Sequence, residues 1–329
     1  MGQAKIDSVF LFDANYVGPA LVSAASFIGA PGMQRFSLTL LFLARGDATD
    51  NKARVALAAF ETNVKVQHPG LDLRMIELQA TVFDDYVQRY HFSSAILYKL
   101  VLPQIFGTYE HIVLFDCGML FGARLAGFLD GVAGRIDSGD IAPIAAFCCA
   151  PDADGALTAE LRRHPHNALY PAAAIVYFDV RRYGAARLYE RLVAGFGIFK
   201  HELMYAEQDL MCLVLQEGEL SDFGPRDDRH HIDMADQQTW YRMAEYEQRW
   251  RGKDYFYIKH VGSFKPWKKW ILNPSKGLYL REFEALRPLL GDAILDSLRD
   301  EAAYPTDIRF LQQQLELMER YYEKTQPLV

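Results

Sequence analysis

From Ser8 onward, short apolar runs alternate with longer segments whose apolar residues recur at helical spacing, and a chain patterned this way is confined to an α/β architecture. Ser8–Phe12, Phe36–Leu43, Leu73–Leu78 and His111–Phe115 have strand lengths, while Pro19–Ile28 and the alanine-rich Asn51–Asn63 supply helices between the first three. Units of this kind pair their strands in parallel through right-handed crossovers. The expectation is a Rossmann-like, mainly parallel sheet flanked by helices. Ligands of such sheets bind beyond the carboxyl ends of the strands. Two of the runs stop there on an acidic residue, the first at Asp13 and the fourth at Asp116.

The later chain continues the pattern. A helix over Ser93–Phe106, interrupted near Pro103, leads into the His111 strand. Strands are predicted at Ile144–Cys149, Ala173–Phe178 and Tyr255–Val261, with helices at Ala185–Ala194 and Glu207–Leu215. Ser221–Asp236 is a polar stretch dense in Asp, Arg and His. Past Pro274 the chain reads as two or three helices. The last, Asp307–Glu323, carries an apolar stripe at Ile308, Leu311, Leu315 and Met318 that would pack on the domain or form a homodimer seam. No repeat or linker divides the chain, so residues 1–272 are expected to form one catalytic-type domain and residues 273–329 a helical C-terminal extension.

Composition narrows the function. Half of the 329 residues are apolar, enough for a substantial core. Lys plus Arg against Asp plus Glu gives 35 − 42 = −7, and an acidic surface repels a nucleic-acid backbone. No apolar run approaches the ~20 residues that cross a bilayer. The start of the chain, with Lys5 alone before Asp7 and Asp13, does not read as a secretory signal, so a cytoplasmic location is expected. The four cysteines, Cys117, Cys148, Cys149 and Cys212, lack CxxC spacing and read as buried free thiols.

Four clusters carry chemistry, and each has a plainer reading. In Asp13-Ala14-Asn15-Tyr16 a carboxylate can accept an imide N–H and a ring can stack on a base, which suits uracil; an Asx turn and helix cap is the alternative. Phe115-Asp116-Cys117-Gly118 leaves a carboxylate at the end of a very apolar strand, where a cation or a cap would meet it. Tyr205-Ala206-Glu207-Gln208-Asp209 opens a helix, where acidic groups also complement the dipole. Lys259-His260-Val261-Gly262-Ser263-Phe264-Lys265-Pro266-Trp267-Lys268-Lys269-Trp270 gathers positive charge in an acidic chain. It suits a pyrophosphate, with Gly262 allowing close backbone approach and Lys265 supplying charge, or else forms a solvated basic turn anchored by tryptophans. The His230-His231 and His164-Pro165-His166 segments lack the spacing of a metal site.

In order and separation these clusters resemble the family 8 glycosyltransferases, retaining sugar-nucleotide enzymes of GT-A fold, from about Val9 to Trp270. The resemblance implies that Asp13, Asn15 and Tyr16 hold the uridine. His91, Ser93 and Lys99-Leu100 fall at the offsets of the family's helix before the metal strand, with Lys99 in place of the usual Arg, and the resemblance implies that this basic residue serves the donor sugar and phosphates. Glu207-Gln208-Asp209 stands where the family has the Asp-Gln-Asp that faces the transferred sugar, so Glu207, Gln208 and Asp209 are the candidate catalytic group. Gly262 and Lys265 would contact the diphosphate, and Asp116 and His260 would hold Mn²⁺.

The departures are chemical. The family's Asp-x-Asp is Asp116-Cys117-Gly118 here, its Asn-Ala-Gly is Ala172-Ala173-Ala174, and its closing motif is one residue short between His260 and Gly262. Glycine removes a charged ligand from a hard cation. Either Asp116 and His260 hold a metal with water and diphosphate, or Lys99, Lys265 and Lys268 neutralise the diphosphate without one. The expected function is transfer of a sugar from a UDP-sugar donor to a glycan or lipid-linked glycan acceptor with retention of configuration. The rival is a relative that binds a sugar nucleotide without turnover. A dinucleotide enzyme is disfavoured because no G-x-G-x-x-G follows the first strand.

Overall fold

The computed structural model describes residues 4–79, 83, 94–149, 168–225, 231–233, 248, 251–260, 265–268 and 276–299. Its centre is β1 (Ile6–Asp13), which pairs in parallel with β2 (Ser37–Ala44) and β4 (His111–Phe115), while β2 pairs in parallel with β3 (Leu73–Gln79). Beyond β4 the direction changes. β7 (Tyr170–Asp179) runs antiparallel to both β4 and β6 (Ile144–Cys149), and β8 (Leu220–Asp222) closes the edge parallel to β6. The seven-stranded order is β3-β2-β1-β4-β7-β6-β8, mostly parallel as expected.

Both faces of this sheet are covered, which is why its strands are continuously apolar; every residue of β2 is buried. Alternate residues feed two cores. On one face Phe10 meets Phe27, Phe115 and Phe121, ring centroids 5.2 to 5.9 Å apart and mostly edge-on. Full burial of each such ring contributes about 1.5–3 kcal/mol. The other face gathers Val9, Leu97, Tyr98, Ile112, Leu114, Val176, Phe178 and Leu210. Helix α1 (Val17–Gly29) packs Ala20, Leu21, Ala24 and Phe27 on the first face, next to α2 (Ala48–Gln67), whose start is capped by the Asp47 carboxylate accepting from the Thr49 N–H.

Three expectations are corrected in detail. Residues Ser94–Val101 wind as a 3₁₀ helix, and Leu102–Ile105 (α3) is α-helical; Pro103 sits in its first turn, where a missing N–H costs nothing, rather than interrupting a helix. The helix expected at Ala185–Ala194 is two, α5 (Val180–Ala185) and α6 (Leu188–Phe199), divided at Arg187 with φ of 51°. The polar stretch after Ser221 holds the end of β8 and also β9 (His231–Asp233), which joins β10 (Tyr257–Lys259) and β5 (Met119–Phe121) in a second, three-stranded sheet. Helix α4 (Leu125–Ser138) follows β5, and α7 (Glu207–Val214) packs against β7.

At the far end, α8 (Lys276–Glu284), α9 (Arg287–Leu290) and α10 (Asp292–Ser297) bury Leu278, Tyr279, Phe283, Leu286, Leu290 and Leu295 in the same core as Phe10. Asn63 Nδ2 of α2 donates to the Leu289 carbonyl at 2.8 Å. The helix expected at Asp307–Glu323 lies outside the described residues. Among the described residues, no helix is long and apolar enough to cross a membrane. Cys212 is buried and Cys117, Cys148 and Cys149 are half-buried; all four are free thiols.

Candidate active site

The carboxyl ends of β1 and β4 lie side by side, so Asp13 and Asp116 open onto one region. The turn after β4 is held from below. Buried Ser23 of α1 accepts from the Gly118 and Met119 N–H groups at 2.9 and 3.0 Å, and the Asp116 N–H donates to the Ala174 carbonyl of β7 at 2.8 Å. Cys117 turns away, its thiol against the Leu11 carbonyl, and burial pushes its pKa well up, with the Asp116 charge adding to the effect.

Lys99 occupies the centre. Its ammonium contacts Asp116 Oδ1 at 2.6 Å, Glu207 Oε1 at 2.9 Å and the Ala173 carbonyl at 2.9 Å, three partners for three donors. The 3₁₀ helix carries Lys99 inward, β7 presents the carbonyl and the first turn of α7 presents Glu207. Burial works against the ammonium, but the charges of Asp116 and Glu207 outweigh it and hold the Lys99 pKa above its ordinary value. Asp116 also receives Lys259, whose Nζ lies 3.0 Å from Oδ2. Burial opposes the Asp116 charge, yet two ammoniums together keep its pKa below the usual carboxylate range. Glu207 has only a share of Lys99, and one of its oxygens is buried without a hydrogen bond; burial therefore wins and lifts it to about 7.

The cluster after β1 is built as an Asx-type cap. Asp13 Oδ1 accepts from the Asn15 N–H at 3.0 Å, capping the 3₁₀ turn Ala14–Tyr16, while Oδ2 pairs with the Arg45 guanidinium at 2.9 Å. Burial raises the Asp13 pKa against the pull of Arg45. Asn15 is exposed and Tyr16 half-buried. Burial first, then the Asp13 and Asp116 charges, push the Tyr16 hydroxyl up to about 12, so it stays a neutral donor beside two carboxylates.

The basic turn comes in through β10, which runs antiparallel to β5 with Lys259 opposite Met119. That register sets His260 against the turn, its Nδ1 3.0 Å from the Gly118 carbonyl. The contact makes Nδ1 the protonated nitrogen and Nε2 the lone pair. Nε2 is buried without a hydrogen bond, and the imidazole is flanked edge-on by Trp267 and Tyr279. Burial drops the His260 pKa to about 4. Trp267 also meets Tyr16 edge-on and covers Gly118. Lys265 donates to the His260 carbonyl at 2.5 Å, and its Nζ stands 5.4 Å from the Trp267 ring. Burial, followed by the neighbouring Lys259 charge, lowers Lys265 to about 7; Asp116, Lys268 and Lys99 are also within its electrostatic reach.

These contacts join Tyr16, Lys99, Asp116, Glu207, Lys259, His260, Lys265 and Trp267 in one region, with Gln208 half-buried beside Glu207 on the first turn of α7. Asp209 is occupied elsewhere. It accepts from the Tyr170 hydroxyl at 2.7 Å and from the Met204 and Tyr205 N–H groups, and so clamps the turn whose Ala206 has φ of 42°. Gly262, His91 and Ser93 lie outside the described residues. Arg45 and Ser23 have no place in the sequence reading, and Lys259 enters it only as one member of the basic cluster. Arg45 and Lys259 each follow an apolar strand residue, as Asp116 does, but nothing local distinguishes them from other cations of the chain.

The residues do not fit a divalent cation well. The turn offers one carboxylate, already shared by two ammoniums, and Gly118 has no side chain. A hard ion of the manganese or magnesium type wants several oxygens. Among the described residues, no group of three or more His, Cys, Asp or Glu is arranged to hold a metal.

The sequence matches no protein-family model and no curated protein. Solved structures do resemble it. The galactosyltransferase LgtC, crystallised with donor and acceptor sugar analogs, aligns at a TM-score of 0.61 with 17% identity, over 92% of this chain and 99% of that one. The bifunctional glycosyltransferase WbbM gives 0.56 with 18% identity over 92% of this chain, which spans only 53% of WbbM. GlyE of Streptococcus pneumoniae gives 0.55 with 13% identity, over 92% of this chain and 66% of that one. Identities this low speak to architecture, and the chain has the GT-A glycosyltransferase fold.

Proposed function

We propose that the protein transfers a sugar from a UDP-sugar donor to a hydroxyl acceptor, a glycan or a lipid-linked glycan, with retention of anomeric configuration. The observation that carries this reading is the meeting, at the carboxyl ends of β1 and β4, of a base-type cluster (Asp13, Arg45, Tyr16) with an ammonium cluster (Lys99, Lys259, Lys265). A nucleoside diphosphate has the same two parts. LgtC, similar in fold, was crystallised with donor and acceptor sugar analogs, which supports a sugar nucleotide as the ligand here.

In the proposed reaction the bond from the anomeric carbon to the diphosphate oxygen breaks. The acceptor oxygen bonds the same carbon from the same face, and its proton passes to the departing phosphate. The diphosphate leaves as an anion, so positive charge fixed beforehand around it lowers the barrier most, and holding the acceptor close adds to this. Glu207 is tied to Lys99 and Gln208 is a poor nucleophile, so same-face attack accounts for retention better than a covalent glycosyl intermediate.

A second reading, nucleotide-sugar binding without turnover, is favoured by the missing carboxylate at Gly118. UDP release from a panel of UDP sugars decides between them: release above a Lys99→Met control supports transfer, and tight UDP binding with no release from any sugar supports the second.

A further inference from the structure

We propose that this site neutralises the donor's diphosphate with the ammonium groups of Lys259 and Lys265 and takes no divalent cation. The inference rests on the sugar-nucleotide reading above and names what stands where a metal would. Asp116 is the one carboxylate of its turn, and Lys99 and Lys259 approach its two oxygens at 2.6 and 3.0 Å. A divalent ion ligated at about 2.0–2.2 Å by either oxygen would share that oxygen with an ammonium and be repelled by both.

Position 118 cannot supply a second carboxylate from this backbone. Its φ is +82°, and a Cβ there would lie 2.5 Å from the Trp267 ring. Among the described residues, His260 adds a single nitrogen between two aromatic rings, a donor set too small and too soft for an ion that prefers oxygen.

The positive charge is arranged differently. Lys99 spends its three donors on Asp116, Glu207 and the Ala173 carbonyl, so it braces the site. Among the described residues, Lys259 and Lys265 each place one donor on the protein, on Asp116 and on the His260 carbonyl, and an ammonium has three. Among the described residues, Asp116 and Glu207 pair with Lys99 and Lys259, and no carboxylate is in ion-pair contact with Lys265 or the exposed Lys268. Lys259 ends β10, the strand paired antiparallel with β5, and Lys265 follows it by six residues. When the glycosidic bond to phosphate breaks, the charge on the leaving oxygen develops against these ammoniums.

The test is calorimetric titration of UDP into the intact protein, first with EDTA and then with Mn²⁺. The expected dissociation constants agree within about twofold, and Lys259→Met weakens binding by about tenfold or more in both buffers while Lys259→Arg keeps most of it. Lys265→Met serves as an independent variant if Lys259→Met fails to fold, with the same loss expected. Binding that appears only with Mn²⁺ overturns the metal-free site and leaves the sugar-nucleotide reading intact. No binding in either buffer removes both. Electron paramagnetic resonance of Mn²⁺ added alone gives a second reading: an unchanged aqua-ion spectrum supports the inference, and a bound signal abolished by Asp116→Asn overturns it.

Discussion

Lys259 reaches Asp116 at 3.0 Å because β10 returns antiparallel along β5, the strand that begins just after the Asp116 turn. The pair thus links the second sheet to the carboxyl end of the first, and with Lys99 it forms a chain of alternating charge ending at Glu207. Removing the middle of such a chain leaves like charges facing each other.

Lys99→Met is therefore expected to cost about 3–5 kcal/mol, since Asp116 would keep Lys259 but Glu207 would lose its charged partner while remaining 1% exposed. Urea denaturation reads the loss. The double variant Lys99→Met with Glu207→Gln should recover part of it, because the uncompensated carboxylate is then gone. A double variant no more stable than the single one would show that Lys99 acts through packing alone.

Gly118→Asp restores the spelling of a two-carboxylate motif but not its chemistry. A non-glycine residue at φ of +82° costs about 1–3 kcal/mol, and the contact with Trp267 adds to that. The expected result is a lower melting temperature with no gain of Mn²⁺-dependent UDP binding. Adding Trp267→Ala should relieve the clash and return some stability, although His260 and Tyr16 then lose a packing partner.

Much of this region was legible in the chain, and the reason is local. β4 is an apolar run that ends where Asp116 begins, and the same holds for β1 with its terminal Asp13; strand and ligand position are written in adjacent residues. What stayed hidden depends on contacts between distant segments. Lys259 is one cation among several in a basic stretch until β10 takes its place beside β5. Glu207 and Asp209 look equivalent in sequence, yet two residues turn a helix through about 200°, so one faces Lys99 and the other faces Tyr170. The 3₁₀ winding at Ser94–Val101 was equally illegible, because apolar spacing barely separates periods of 3.0 and 3.6 over eight residues.

Acid lability should trace to His260. Its pKa falls from an ordinary value near 6.5 to about 4 through burial, so the unfolded chain takes up a proton that the folded protein refuses. The stability it contributes is complete above pH 6.5 and is lost as pH falls through 4, amounting to about 3 kcal/mol over that window. His260→Gln should flatten this part of a stability-versus-pH curve measured by urea denaturation. An unchanged slope would assign the acid limb to other groups.

Nucleotide affinity should move with pH in the opposite range. Lys265 titrates at about 7 before an anion arrives, and a bound diphosphate favours its charged form. UDP binding is then expected to take up protons and to weaken as pH rises from 6 to 9, a dependence that Lys265→Arg removes, since guanidinium stays charged throughout. Calorimetry in two buffers of different ionisation enthalpy measures the proton count directly, and a count of zero at pH 7.5 would exclude Lys265 from the anion site.

Base choice is the province of Asp13 and Arg45. Uracil offers an imide N–H beside a carbonyl, a donor and an acceptor that match a carboxylate and a guanidinium 2.9 Å apart; cytosine has an acceptor nitrogen and an amino donor at the same two positions, so both are reversed. Arg45→Ala is expected to lower UDP affinity by about tenfold and to reduce the preference for UDP over CDP. Because the Arg45 side chain is 45% exposed, its ion pair adds little to folding, and the melting temperature should shift by only a degree or two. Competition between UDP and CDP for the wild-type and Arg45→Ala proteins measures this. Equal selectivity in the two would leave Arg45 with only the task of holding the Asp13 carboxylate in place.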